Sequence, residues 1–354
     1  MAQVTIFDVA KLAGVSKSSA SAVLNGGQVD LFRPATVEKV LKAARELGYQ
    51  AHAGARLMRQ SRSNLVGIAT RTDILEWHTV ASLTIAAHKE LTRQGLQAVL
   101  VSPEQMVPGE SFAPFPSPEM LAGIISVDLA MERSVPSFYK VLGERLPIVA
   151  LYPLHESAVD CITTDRTAGI VIAFEHLWEL GHRHIAFAEI GIAHSLTATA
   201  KMRGWQQICE KYNSTGTQLS YIELREDKDP IERGMILAKQ IIDMRAEDRP
   251  TALICGGDEI ALVVLSQFAS AGLRVPDDIS VVGFDNVRET RYSYPPLTTI
   301  SQPIAEVAAA AVTRLKALLK LKATDRQLET ACEVLIEPQL IVRESTKAPR
   351  KLSY

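Results

Sequence analysis

Cysteine is scarce in this chain. The four residues Cys161, Cys209, Cys255 and Cys332 lie far apart and show no metal-ligand spacing. That pattern argues against a zinc site or a disulfide framework and fits buried thiols in a reducing cytoplasm. Long apolar runs are also missing, since no stretch approaches the ~20 residues of a membrane span. The opening MAQVTIFDVAK has no basic segment followed by an apolar one, so no signal peptide is expected. No GxGxxG follows a strand, and neither a P-loop nor a nucleophile elbow is present. The Ser, His and Asp residues form no arguable catalytic triad. No enzyme activity, metal or cofactor is expected on these grounds.

What is present is core-forming material and an uneven charge. Hydrophobic residues make up 47% and charged residues 22%, a balance suited to soluble globular domains, and 354 residues suffice for two or three of them. Net charge is only −2, yet residues 1–62 carry nine Lys/Arg against four acids, so a segment at +5 precedes a body at −7. A basic head on an acidic body points to nucleic acid at one end.

The head reads as three short helices. Thr5 and Asp8 form a capping-box pair, followed by an apolar side of Ile6, Val9, Ala10 and Ala13 and a turn at Gly14. Ser16 caps a second helix to about Asn25, and a third spans about Pro34 to Leu47, with Gly48 at its end. In the second helix Ala20, Val23 and Leu24 face inward. Lys17, Ser18, Ser21, Ala22 and Asn25 then form one outward stripe, short-chained and free of acids, as a helix entering the major groove requires. From Leu65 onward, apolar β-like runs at Leu65–Ala69, Ala98–Ser102, Gly123–Val127, Ile148–Leu151, Ile185–Ala188, Ala252–Cys255 and Ser280–Phe284 alternate with helical stretches. This alternation predicts parallel sheets with helices on both faces, divided between two lobes.

The string TIFDVAKLAGVSKSSASAVLNG, continued by ELGY at Glu46 to Tyr49, resembles the N-terminal signature of the lactose-repressor (LacI/GalR) family. The resemblance implies an all-α, lambda-repressor-like helix-turn-helix head, a hinge helix and a two-lobed α/β core of the type I periplasmic-binding-protein kind with parallel sheets. It implies that Lys17, Ser18 and Ala22 read bases, while Thr5, Ser16, Ser21, Asn25, Thr36 and Tyr49 meet phosphates. Ala22 replaces the family's usual Arg and removes a bidentate guanine contact. Residues 50–59 resemble the hinge: Ala55 and Arg56 match, and Met58 takes the place of the leucine wedged between base pairs. Ala51, His52 and Gly54 depart from the pattern. A plain flexible linker is the alternative reading of this segment.

The remaining chain resembles the family's core, most closely in HLWELGHRHIAFAEI, the Asp258–Glu259 pair, GLRVPDDISVVGFDN, PPLTTISQP and EPQLIVREST. His182 and His184 lie in its Gly-His turn, which argues against a metal pair. Sheets of this kind bind ligands beyond the carboxyl ends of their strands. By resemblance, the effector candidates are Asp73, Tyr152, Thr197, Lys201, Gly257, Asp285 and Gln302, with Trp77 a weaker one. Asp285 offers acceptors for hydroxyls, Lys201 a cation for a carboxylate or phosphate, and Tyr152 an apolar face; Gly257 replaces a ligand-touching Asn. Alternatively, Asp285 caps a helix and Lys201 lies on the surface. These features suggest a small polyhydroxylated effector, with a nucleobase as runner-up. The expected divisions are a head at 1–49, a hinge at 50–63 and a core at 64–345, followed by a tail at 346–354. Lobe one would comprise about 64–161 and 294–324, and lobe two about 162–293 and 325–345. The expected partners are palindromic double-stranded operator DNA, the effector and a second copy of the chain, with no membrane. Doubly wound enzymes and solute-binding proteins are the remote alternatives.

Overall fold

The computed structural model describes residues 4–24, 32–49, 63–72, 74–75, 77–103, 118–127, 139, 142–143, 145–152, 159–190, 196–225, 229–321, 325 and 330–350. The chain divides into two compact units, Met1–Ser63 and Asn64–Tyr354.

The first unit contains α1 (Ile6–Ala13), α2 (Lys17–Leu24) and α3 (Pro34–Glu46). The Thr5 N–H and hydroxyl both donate to the Asp8 carboxylate, at 2.8 and 2.7 Å, which fixes the start of α1. Gly14 closes α1 in the left-handed region at φ 66°, a conformation other residues adopt only with strain. Ser16 accepts from the Ser19 N–H at 3.0 Å and so caps α2, and Pro34 occupies the first turn of α3. Val9, Ala10, Ala20, Val23, Val40, Ala43 and Ala44 make the core, leaving the opposite faces polar.

The second unit contains β1 (Leu65–Ala69), α4 (His78–Arg93), β2 (Gln97–Val101), β3 (Gly123–Ser126), β4 (Ile148–Ala150), β5 (Asp160–Thr164), α5 (Arg166–Glu179) and β6 (His184–Ile190). It continues with α6 (Leu196–Tyr212), β7 (Gln218–Leu224), α7 (Pro230–Ile242), β8 (Ala252–Cys255), α8 (Asp258–Ser270), β9 (Ser280–Asp285), β10 (Thr298–Ser301), α9 (Ile304–Lys320), β11 (Glu333–Ile336) and β12 (Gln339–Ile341). Two six-stranded sheets result, ordered β11-β5-β4-β3-β1-β2 and β12-β10-β9-β8-β6-β7. Every pairing is parallel except β10 with β12. Helices cover both faces of the second sheet, and the first is covered by helices on one face and by Leu121, Tyr139 and Leu142 on the other. Interior strands such as β3, β4 and β8 are therefore buried along their length. α4 and α9 enclose the first sheet's larger core, while α5 and α6 pack on one side of the second sheet and α7 and α8 on the other.

Strand pairing corrects the expected lobe boundaries. β10 pairs with β9 and belongs to the second lobe, although 294–324 was assigned wholly to the first. β11 pairs with β5 and belongs to the first lobe, although 325–345 was assigned wholly to the second, and the boundary at 161/162 cuts through β5. The chain therefore crosses between lobes after β5, after β10 and after β11. The expected tail is also corrected. Thr346 contacts His176 at 3.0 Å, the Lys347 carbonyl lies 2.9 Å from His182 Nε2, and Arg350 reaches Asp278 at 3.5 Å, so the second lobe extends through residue 350.

Candidate functional site

A cavity of about 170 Å³ opens beyond the carboxyl ends of the strands in the second unit. Tyr152, Thr197, Lys201, Gly257, Asp285 and Gln302, all singled out in the sequence, line it together with Trp77. Asp73 lies outside the described residues. Sequence reasoning missed Arg166, Glu189, Arg233, Glu259 and His78, which also line the cavity.

Asp285 ends β9 with its backbone at φ 120°, followed by Asn286 at 59°. Non-glycine residues rarely adopt such angles, and the surroundings hold them there. Asn286 Nδ2 donates to Ser301 at 3.1 Å, and Arg343 donates to Asn286 Oδ1 at 2.7 Å. The strained turn aims the Asp285 carboxylate at the crossover, where it accepts from Gln302 at 2.5 Å. Gln302 in turn accepts from Arg166 at 3.3 Å, and Arg166 donates to Thr163 at 2.8 Å. A chain of polar contacts thus ties β9 to two of the segments that pass between the lobes, and Gln302 both lines the cavity and braces the crossover. Asp285 terminates its strand and faces the cavity, so the alternative of a helix cap does not describe it.

Burial pushes the Asp285 carboxyl up, with Lys201, Gln302 and Arg166 pulling it back. Behind it, Asp258 is fully buried, accepts from Thr299 at 2.6 Å and from the Val287 N–H at 2.8 Å, and is pushed up to about 7 by burial and by the charge of Asp285.

One alternative for this site needs correction. Lys201 was expected to offer a cation to an acidic ligand, or else to lie on the surface. It does not lie on the surface: it lines the cavity with 12% of its side chain exposed and is ion-paired with Glu189 at 2.7 Å. Tyr152, expected to offer an apolar face, lines the cavity, and the Arg166 guanidinium lies 4.8 Å from its ring centre.

In the first unit, Lys17 and Ser18 are exposed and Ser21 and Ala22 half-buried along one side of α2, whose first turn contains no acid. Helix starts of this kind favour phosphate. Lys17 Nζ sits 4.1 Å over the Phe7 ring, a residue 60% exposed. Phe7 was overlooked, although an aromatic outside the apolar stripe of α1 was a visible signal. Thr5 and Ser16 are exposed, while Thr36 and Tyr49 are half-buried at the two ends of α3. Asn25, Ala55, Arg56 and Met58 lie outside the described residues. Among the described residues no His, Cys, Asp or Glu cluster could hold a metal, and no helix is long and apolar enough to cross a membrane.

Residues 5–52 match the family model "Bacterial regulatory proteins, lacI family", and residues 174–346 match "Periplasmic binding protein-like domain". The chain is 29% identical over 349 residues to the HTH-type transcriptional repressor PurR of Pasteurella multocida, covering 97% of this chain and 99% of that one. It is 28% identical to the PurR repressor of Haemophilus influenzae over 358 residues, covering 97% and 99%. Among solved structures, the lac repressor dimer bound to operator and the anti-inducer ONPF superposes with a TM-score of 0.78 at 24% identity, covering 98% of this chain and all of that one. A CelR–cellobiose complex superposes with a TM-score of 0.65 at 24% identity, covering 97% and 100%. The chain belongs to the LacI family and is a DNA-binding transcriptional regulator with an effector-binding core, not an enzyme.

Proposed function

We propose that this protein is a repressor that acts in the cytoplasm as a homodimer on a palindromic operator and is controlled by a small polar effector in the cavity of its core. The observation that carries the effector half is the convergence of six sequence-predicted residues on one cavity. For the DNA half, the support is the exposed, acid-free stripe of α2. In this reading Lys17, Ser18 and Ala22 meet base edges. Thr5, Ser16, Ser21, Asn25, Thr36 and Tyr49 meet phosphates, and Ala55, Arg56 and Met58 act in the minor groove. Two reading helices on a palindrome require two-fold symmetry. The relatives named PurR are repressors, and the solved lac repressor is a dimer on operator, which supports both assignments. CelR holds cellobiose and a related Enterococcus faecium regulator holds ribose, which supports a polyhydroxylated ligand. A nucleobase is the second reading, favoured by the Tyr152 ring in the cavity lining, with the Arg166 guanidinium 4.8 Å from its centre.

Selection of bound duplexes from a random library tests the DNA half. A palindromic consensus is expected, and K17A should change the preferred bases at the positions it reads rather than weaken all duplexes equally. An unaltered preference in K17A would remove Lys17 from the base-reading set.

A further inference from the structure

We infer that Glu189, through its buried ion pair with Lys201, makes the cavity select an uncharged ligand and exclude phosphate- or carboxylate-bearing ones. The inference rests on the cavity being the effector site and assigns that ligand's charge class.

Glu189 lies near the carboxyl end of β6 and Lys201 on α6, where they meet with 6% and 12% of their side chains exposed. The ammonium donates to Glu189 Oε2 and to the Gly256 carbonyl, so at most one of its three donors is left for a ligand. The Phe284 ring lies 5.0 Å away. The other carboxylate oxygen, Oε1, accepts from the Ile190 N–H at 2.8 Å. Gly256 completes the arrangement, because any side chain at 256 would collide with the Glu189 carboxylate. An acid following the apolar stretch Ile185–Ala188, a lysine reaching it from the next helix and a glycine making room form one built feature.

The other cations at the cavity are also engaged. Arg166 donates to Thr163 and Gln302 with its face on Tyr152, and Arg233 donates to the Arg225 carbonyl at 2.9 Å. Lys201, Arg166 and Arg233 are balanced in formal charge by Glu189, Glu259 and Asp285. An anion entering this site meets no net positive charge. At the remaining donor of Lys201 an anion would lie beside the Glu189 carboxylate, which repels it. Drawing the ammonium away would leave that buried carboxylate unpaired, which is strongly unfavourable. A hydroxyl or amide meets no such obstacle, since it can bond to the paired groups without separating them.

The test uses the full-length protein, with inorganic phosphate as the probe. Binding is followed by phosphorus NMR line broadening and thermal shift at ionic strength held constant with chloride. Wild type should show no saturable phosphate binding. E189A should gain it, at least tenfold tighter than any residual wild-type signal, and E189A/K201M should lose it again. E189Q, which keeps the shape and one acceptor for Lys201, should also gain binding and serves if E189A folds poorly. Saturable, Lys201-dependent phosphate binding in wild type, or no gain in folded E189A or E189Q, would overturn the inference. Because this readout does not involve operator, its failure is distinct from failure of the effector reading, which would appear as an operator affinity insensitive to every cavity ligand.

Discussion

His182 is 1% exposed, with Nδ1 2.9 Å from the Thr251 hydroxyl and Nε2 facing the Ser280 hydroxyl and the Lys347 carbonyl. The carbonyl only accepts, so Nε2 carries the proton of the neutral ring. Burial pushes this histidine down to about 4 from its ordinary 6.5, and lowers His176 and His184 as well. The folded state therefore binds fewer protons than the unfolded state between these values. Stability is fully present above about pH 6.5 and is lost as the pH falls toward 4. For His182 alone the loss between pH 7 and pH 5 should be roughly 2 kcal/mol. Urea unfolding at the two pH values measures it, and H182Q should show a smaller difference between them. An equal pH dependence in H182Q would contradict the assignment. Gly283 offers a second residue-level test. A Cβ there would overlap Oδ1 of buried Asp258 and press on Leu297, so G283A should destabilise the core by about 2–3 kcal/mol, read from the urea midpoint.

Among the elements, α2 depends on the cap supplied by Ser16. S16A should cost about 1 kcal/mol and speed amide exchange in the first turn of α2, while S16T restores most of the protection. Unchanged exchange in S16A would mean that the helix start is held by something else. The same cap shows why the head was legible: box, turn glycine, capping serine and first-turn proline are local signals, and α1 to α3 lie where those signals put them. The interior strands β1, β3, β4, β6, β8 and β9 were legible for another reason, whereas the threonine-bearing interior strands β5 and β10 were not anticipated. Burial on both faces leaves a continuous apolar run, as in Ala252–Cys255. β7, β11 and β12 at the sheet edges are partly exposed, interrupt such runs with polar residues and were not anticipated. The lobe assignments of β10 and β11 depend on which strand each one pairs with, and no local pattern encodes that choice. Arg166 was missed along with the strand before it. Glu189 stood in view as an acid in an apolar run, but its meaning depends on Lys201 twelve residues away arriving on the same side.

At the scale of the molecule, the units Met1–Ser63 and Asn64–Tyr354 have separate cores of very different size. The head's core is made mainly of alanine and valine, whereas the larger unit buries Phe174, Phe187, Phe268 and Phe284 among many leucines and isoleucines. Buried apolar area sets most of the favourable energy, and small domains bury a smaller fraction of their surface. The head should therefore melt first, in a calorimetric transition of its own. A ligand that binds only the native form of one unit raises that unit's transition with its concentration. A duplex selected from the random library should move the lower transition upward, while a neutral ligand of the cavity should move the upper one. Coupling between the two is reciprocal by thermodynamic necessity. Whatever factor the ligand imposes on operator affinity, operator must impose on ligand affinity. Adding both together should therefore shift each transition by more, or by less, than either does alone, with the same sign as the change in operator affinity. A single transition moved equally by either ligand would show that the units unfold as one.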